Sequence, residues 1–393
     1  MKNPVITAIA RTPIGRFQGA FTPLTAMDLG GVAIGGALGR AGLAGGDVDE
    51  VLFGHVIQAG QGQITSRQAA VSGGVPMTVP STTINKVCLS GMTAIADAAM
   101  HIAVGESTFV VAGGMESMTN APYVLPGARL GLRYGDATLL DSLTHDGLFC
   151  AFDSCLMGES SDRKNAQLGI GREEQDRWSA ESHRRAAAAA DSGVVDDEIV
   201  PVTVPRRKGE PLVVARDEGV RPDTTVESLQ RLRPAFSADG TITAGNASQI
   251  SDGAAAVVVA ERAAAEAAGM SILAEIVGYG QVAGPDATLH ERPAEALRLA
   301  AKRAGVDVAA LDLVEINEAF AAVAMWSARM LDLPHERVNV RGGAVALGHP
   351  LGATGARLVV TLVAALRERG GGLGGAALCG GGGQGDALIV RVG

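Results

Sequence analysis

A chain of 393 residues exceeds what one hydrophobic core usually organises, so two or more domain-like units are expected. A formal net charge of −9 and an aromatic content of 3% exclude the clustered positive charge and stacking platforms of a nucleic-acid binder. Apolar residues make up 47% of the chain, yet no apolar run approaches the ~20 residues that span a bilayer, so a soluble globular protein without a membrane partner is expected.

Residues 1–10, MKNPVITAIA, carry an apolar run too short for a signal peptide and predict a first strand. Helices are predicted over 26–41 and 93–104, followed by a strand over 109–112. From about Asn120 to Asn246 the alternation fades, charges concentrate, and 201–211 reads as a hairpin with a polar tip at Arg206-Arg207-Lys208. That charge run has the look of a solvated turn. Strands over 254–260, 274–277, 311–314 and 387–390 then alternate with helices over 293–304 and 355–369. The alternation predicts an α/β protein with largely covered sheets.

Four segments break the rules of ordinary elements. Cys88 stands in Asn85-Lys-Val-Cys-Leu-Ser-Gly91, just before a predicted helix, where helix-terminal N–H groups favour a thiolate. The residue alone allows a second reading, a small buried side chain. His349 is held in Leu347-Gly-His-Pro-Leu-Gly352, a turn that restricts its ring and lets a ligand approach closely. Cys379 ends the strand-like Ala376-Ala-Leu378 and opens a glycine run, which predicts an exposed sulfur at a backbone turn. Asn317, in Glu315-Ile-Asn-Glu-Ala-Phe320, is either a polar site residue or the cap of the next helix. Gly380 to Gly385 also satisfies GxGxxG, but a strand follows where a dinucleotide fingerprint requires a helix. Cys88, Cys150, Cys155 and Cys379 show neither CxxC nor zinc-like spacing, so no metal and no disulfide framework are expected, and free thiols predict a cytoplasmic protein. Cys88 and His349 each precede a helix at similar places in the two halves of the chain, which hints at a duplicated fold.

These segments, together with Arg11-Thr-Pro-Ile-Gly15, Ala112 to Ser117, Leu232 to Phe236 and Thr243 to Ser248, resemble the thiolase family of acyl-CoA acyltransferases along the whole chain. The resemblance implies a five-layered αβαβα core of two similar halves, 1–119 plus 249–271 and 272–393, with an inserted loop domain over 120–248. It implies reversible condensation of two acetyl-CoA molecules to acetoacetyl-CoA and CoA, without a cofactor. Cys88 would be the acylated nucleophile, His349 its base, and Cys379 the acid/base thiol of the second step. Asn317, through a water, and His349 would hold the enolate, while the N–H groups of Cys88 and Gly381 would hold the tetrahedral oxyanion. Coenzyme A would meet Leu148, Met157, Arg221, Ser228, Phe236, Ala244, Ser248 and Phe320. Residues 120–141 resemble the tetramerisation loop of the short-chain members, so a homo-oligomer is expected, a tetramer or otherwise a dimer. Two departures stand out. Leu156 occupies a position where many members carry histidine, making the pocket more apolar, and Leu89 follows the nucleophile where glycine is common. A broader 3-ketoacyl-CoA thiolase of fatty-acid degradation is the alternative activity, and a non-catalytic acyl-CoA-binding protein the alternative class.

Overall fold

The computed structural model describes residues 2–393, so the first residue of the expected opening strand, Met1, lies outside the described residues. The chain begins with β1 (Pro4–Arg11), β2 (Gly15–Arg16), α1 (Ala26–Ala41), β3 (Glu50–Gly54), α2 (Thr65–Ser72), β4 (Ser81–Ile84), α3 (Ser90–Val104) and β5 (Phe109–Ser117). Helix α1 has the predicted bounds because Thr25 and Asp28 form a capping box and Gly42, at φ 64°, closes the last turn in the left-handed region. The next stretch carries the two-residue strands β6 (Tyr123–Val124), β7 (Leu140–Asp141), β8 (Phe149–Cys150) and β9 (Cys155–Leu156). Helices α4 (Met157–Leu168) and α5 (Arg172–Ser192), strands β10 (Val202–Val204) and β11 (Leu212–Val214), and α6 (Val226–Gln230) complete it. Its six strands pair only with one another, as three separate hairpins, and β10–β11 is the hairpin expected around Arg206-Arg207-Lys208. The chain then returns through β12 (Ser251–Glu261), α7 (Arg262–Ala267), β13 (Ala274–Ala283), α8 (Arg292–Ala304), β14 (Leu313–Ile316), α9 (Ala321–Met330), α10 (Ala344–Leu347), α11 (Leu351–Glu368), β15 (Gly372–Gly380) and β16 (Gln384–Val392).

The long strands run in the order β14-β15-β16-β13-β1-β12-β5-β3-β4. Two residues of β1 pair with two of β13, and around that seam the pattern of strand pairing repeats. On one side β3 pairs parallel with β5, then β5–β12 and β12–β1 are antiparallel; on the other β14 pairs parallel with β15, then β15–β16 and β16–β13 are antiparallel. Helices follow suit, α3 preceding β5 as α11 precedes β15. The duplication hinted at by the Cys88 and His349 turns is thus a repeat of strand order.

Three apolar cores separate five layers. One lies between α1 and α2 and their sheet half, a second between both sheet halves and the central pair α3 and α11, and a third between the other half and α8 and α9. Each fully buried Leu or Ile of the central layer contributes about 1.5–3 kcal/mol. Residues 87–104 do reach the length and mean hydropathy, 1.5, of a membrane span, contrary to the expectation that no stretch comes close. The central position of α3 accounts for this composition, since a helix covered by sheets and a partner helix needs little polar surface.

Arg11 is buried and bonds Glu198 (2.8 Å) and Asp217 (2.8 Å); Glu198 also takes Arg341 (2.6 Å) and the Thr361 hydroxyl (3.0 Å). The network joins the first strand, the intervening segment and the second half. Removing Arg11 would leave the buried Asp217 without its cation, a loss that costs up to about 3–5 kcal/mol, whereas Glu198 would keep Arg341.

Candidate active site

Helices α3 and α11 meet at their N-termini because glycines occupy the crossing. A Cβ on Gly91 would lie 2.8 Å from the Gly352 carbonyl oxygen, and one on Gly355 would lie 2.4 Å from the Met92 nitrogen. Backbone-to-backbone approach of this kind has no room for a larger residue, and it brings together the two turns that precede these helices. One turn carries Cys88 and the other His349.

The Cys88 turn is strained. Val87 has φ 51°, a conformation that costs a β-branched residue roughly 1–2 kcal/mol. It is held by the Ser90 hydroxyl, which donates to the Val87 carbonyl (2.6 Å) and accepts from the Lys86 N–H (2.8 Å). Lys86 in turn is anchored on the buried Asp386 (2.7 Å), which also takes Thr93 and Tyr279. The His349 turn uses glycine instead. Gly348 stands at φ 112°, and the His349 N–H donates to the Gln249 carbonyl (3.1 Å) and the Ser251 hydroxyl (3.2 Å).

His349 Nε2 lies 3.2 Å from Cys88 Sγ, and Nδ1 lies 2.7 Å from the Thr354 hydroxyl oxygen. Thr354 spends its proton on the Pro350 carbonyl (2.9 Å), so it accepts from Nδ1–H. That assigns the tautomer, and the Nε2 lone pair faces the thiol. Asn317 Nδ2 stands 3.5 Å from the same Nε2, while Asn317 Oδ1 is buried without a hydrogen-bond partner among the described residues. Asn317 is not a helix cap: α9 starts four residues later, with Phe320 at its N-cap position. Cys379 sits in β15 opposite Gly385 and is 1% exposed, so its sulfur is buried in the pocket wall and not exposed at a turn as expected. The cause is the strand itself, which continues to Gly380 before the chain turns.

Burial pushes the Cys88 thiol far up, and the neighbouring Cys379 adds to it; burial likewise pushes Cys379 up to about 12. The imidazole of His349 is lowered to about 3, by burial first and by the Arg357 charge second. These shifts favour neutral thiols and a neutral imidazole, and so run against the thiolate expected from helix-terminal N–H groups. Loss of water around the sulfur outweighs those few N–H dipoles.

A cavity of about 280 Å³ opens over these groups, with Cys88, His349, Cys379 and Gly381 in its wall. Of the residues expected to meet coenzyme A, Leu148, Met157, Phe236, Ser248 and Phe320 also line it. Arg221, Ser228 and Ala244 are exposed outside it, and the Ser228 hydroxyl is occupied in the cap of α6 with Thr225. Met118, Gln249 and Leu289 line the cavity but carried no local sign of it in the sequence, whereas Leu351 lies in the His349 segment. Leu156 is in the wall, as its position implied, whereas Leu89 is fully buried against Gly380 and is not part of the lining.

Two buried glutamates brace the site from behind. Glu116 accepts from the Val56, Ile57 and Gly352 N–H groups and faces His55, locking the start of α11 onto the first half. Glu318 accepts from Trp178 Nε1, the Ser182 hydroxyl, Asn339 Nδ2 and the Val345 N–H, locking α5 onto the segment that leads to His349. Among the described residues no three His, Cys, Asp or Glu side chains are placed to share a metal ion.

The pattern of the thiolase N-terminal domain matches residues 4–263 and that of the thiolase C-terminal domain matches 270–392. The chain belongs to the thiolase family. This thiolase is 51% identical over 387 residues to a probable acetyl-CoA acetyltransferase of Mycolicibacterium smegmatis, covering 98% of this chain and 100% of the relative. It is 47% identical over 390 residues to an acetyl-CoA acetyltransferase of Pseudomonas aeruginosa, covering 99% of each. The crystal structure of the Bacillus anthracis acetyl-CoA acetyltransferase superposes with a TM-score of 0.97 at 42% identity, over 100% of this chain and 99% of that one. As a thiolase the protein is an enzyme of the acyltransferase class with acyl-CoA and CoA as its substrates.

Proposed function

We propose that this thiolase is an acetyl-CoA C-acetyltransferase, condensing two acetyl-CoA molecules to acetoacetyl-CoA and CoA or running the reverse thiolysis. The observation that supports the reading most is the 3.2 Å contact between Cys88 Sγ and the bare Nε2 of His349, with Cys379 in the same wall. In this scheme His349 takes the Cys88 proton as the sulfur attacks the thioester carbonyl, and the departing CoA thiolate leaves with that proton. The acyl-cysteine is itself a thioester, so no deep trap forms. A second acetyl-CoA enters, Cys379 removes its α-proton, and the enolate carbon attacks the acyl group, which frees Cys88.

The N–H groups of Cys88 and Gly381 are assigned to the tetrahedral oxyanion. Asn317 and His349 are assigned to the enolate oxygen, the unpartnered Asn317 Oδ1 being the acceptor that a bridging water requires. Leu148, Met157, Phe236, Ser248 and Phe320 would hold the pantetheine arm, with the exposed Arg221, Ser228 and Ala244 towards the nucleotide end. The same reading takes 1–119 plus 249–271 and 272–393 as the two halves and 120–248 as the loop domain. It needs no cofactor, and it makes the enzyme a cytoplasmic homotetramer acting in fatty-acid metabolism. Tyr123, Leu130, Leu132 and Tyr134, all exposed along 120–141, support an oligomer through that loop.

Leu156, apolar and at the cavity wall, favours a second reading as a 3-ketoacyl-CoA thiolase of broader chain length. CoA-dependent cleavage of acetoacetyl-CoA beside a medium-chain 3-ketoacyl-CoA decides between them. Fast cleavage of the short substrate alone supports the acetyltransferase. Comparable cleavage of the longer one supports the broader enzyme, and cleavage of neither leaves a non-catalytic acyl-CoA binder.

A further inference from the structure

Two cysteines that this chemistry does not use face each other at the rim of the cavity. In the β8–β9 hairpin Cys150 pairs directly with Cys155, and Phe149 with Leu156. Directly opposed side chains share one face of a ladder and adjacent pairs take opposite faces. Accordingly Cys150 and Cys155 are 5% and 8% exposed, while Phe149 and Leu156 are on the open face at 38% and 36%. Opposed residues in an antiparallel pair have Cα atoms about 4.5 or 5.5 Å apart, both inside the roughly 4.4–6.8 Å range of a disulfide. Their Cβ atoms, about 4.5–5.5 Å apart, need to close by no more than roughly 1–2 Å. Both thiols are free.

The sulfurs also have a chemical asymmetry. Arg163 donates to Cys155 Sγ at 3.1 Å, and its side chain is half exposed. That contact gives Cys155 a charged hydrogen-bond donor beside its sulfur. Cys150 Sγ instead accepts from the Asp153 N–H (3.4 Å), and the turn 151–154 between the two cysteines is exposed, with Ser154 in the left-handed region at φ 52°. A strained exposed turn is the part of the hairpin that opens most readily.

We propose that Cys150 and Cys155 form a redox-modifiable dithiol, oxidised to an intramolecular disulfide by low-molecular-weight disulfides, CoA disulfide among them. The Cys155 thiolate attacks one sulfur of the disulfide RSSR, expelling RS⁻, which takes up the proton that Cys155 gave to solvent. Cys150 then attacks Cys155 Sγ of the mixed disulfide, expelling the second RS⁻, which is protonated in the same way. Two cysteine thiols are oxidised, one disulfide is reduced, and two RSH are released.

The consequence follows from what the hairpin connects. Before it runs the π-helical turn Leu143–Leu148, which brings Thr144 and Leu148 to the cavity; after it α4 brings Met157 and Gly158. A bond between residues 150 and 155 draws the two sides together and removes the freedom of Leu156 between them. Binding of the pantetheine arm should weaken while the catalytic trio stays intact. The sensor is apt for an enzyme whose leaving group is itself a thiol; this link to activity rests on the function proposed above, whereas formation of the bond does not.

The test equilibrates the full-length enzyme with CoA and CoA disulfide at varied ratio, alkylates remaining thiols, and maps peptides by mass spectrometry without reduction. The expected product is the segment holding both cysteines with two hydrogens missing, unalkylated, while Cys88 and Cys379 are alkylated. Oxidation should raise KM for the thioester by about fivefold with kcat changed less than twofold, reversed by dithiothreitol. Cys150→Ser and Cys155→Ser should keep the reduced enzyme's activity and lose the response. Separate labels on both Cys150 and Cys155 at every ratio, or a bond between Cys88 and Cys379 instead, would overturn the dithiol. A bond that leaves KM unchanged would overturn its effect on the cavity. If the enzyme cleaves no 3-ketoacyl-CoA, the activity proposal fails on its own, and mass mapping with CoA affinity by calorimetry still decides the dithiol.

Discussion

The turn before α3 and the turn before α11 occupy the same place in the two repeated halves, yet they are built from opposite materials. The first forces Val87, a β-branched residue, to φ 51° and presents a thiol; the second uses Gly348 and Pro350 and presents an imidazole. The repeat supplies two helix N-termini pointing at one spot, and sequence divergence at a single position of each turn gives one a thiol and the other an imidazole, the nucleophile and the base of the function proposed above. Strain is tolerated at Val87 because Ser90 and the Lys86–Asp386 pair hold the turn from both sides, whereas glycine at 348 needs no such support.

The largest test of this division of labour is chemical. Cys88→Ala should abolish acetyl-enzyme formation and lower turnover by about 10⁶-fold, as removal of a covalent nucleophile does. Cys379→Ala should still be acetylated by labelled acetyl-CoA but lose condensation by roughly 10²–10⁴-fold, the usual worth of a general acid/base. Labelled acetyl attached to Cys88→Ala at the normal rate, or normal turnover in Cys379→Ala, would reverse the roles.

A neutral resting pair also has a pH signature. With the thiol pushed up and His349 neutral above about 3, the thiolate fraction of Cys88 grows about tenfold per pH unit from pH 6 to 9. Iodoacetamide alkylation of Cys88 should follow that rise. A rate flat over the same range would mean a preformed thiolate–imidazolium pair, the outcome that helix-terminal N–H groups alone suggest.

Thr354→Val removes the acceptor that holds the Nδ1–H tautomer, and kcat should fall by about 10–100-fold with little change in KM. An unchanged kcat would show that the tautomer is fixed otherwise. Smallest is Val87→Gly, where relief of strain and the extra entropy of glycine nearly cancel. Stability by denaturant titration should change by less than about 1 kcal/mol. A loss of 3 kcal/mol would mean that the valine side chain, not the turn, matters there.

Motifs differ in how much of their role is visible in the letters. Arg11 and Glu318, both inside segments that mark the family, prove to be buried ion-pair and hydrogen-bond anchors, so a motif residue need not touch substrate. Short strands such as β4, Ser81-Thr-Thr-Ile84, escaped reading because their register comes from a neighbouring strand and not from an apolar run. Helix α5 escaped because the face it buries is largely polar, with Gln175, Asp176, Ser179, Ser182 and His183 along it, so no apolar period marks it. It is supported by pairs such as Arg172–Asp176 and Arg177–Glu173, and by Trp178 and Ser182 on Glu318.

What the sequence determined by itself is local: a cysteine and a histidine placed in turns ahead of helices, a thiol at the end of a strand, and an α/β alternation interrupted by a polar segment. These are legible because turn and cap chemistry is written in neighbouring residues. Tertiary structure decided the rest. The meeting of Cys88 and His349 depends on Gly91 and Gly355 admitting two backbones to contact, the tautomer on Thr354, and the shift of the trio towards neutrality on burial by layers drawn from both halves. Desolvation and close approach are sums over residues far apart in the chain, and no window of sequence contains them.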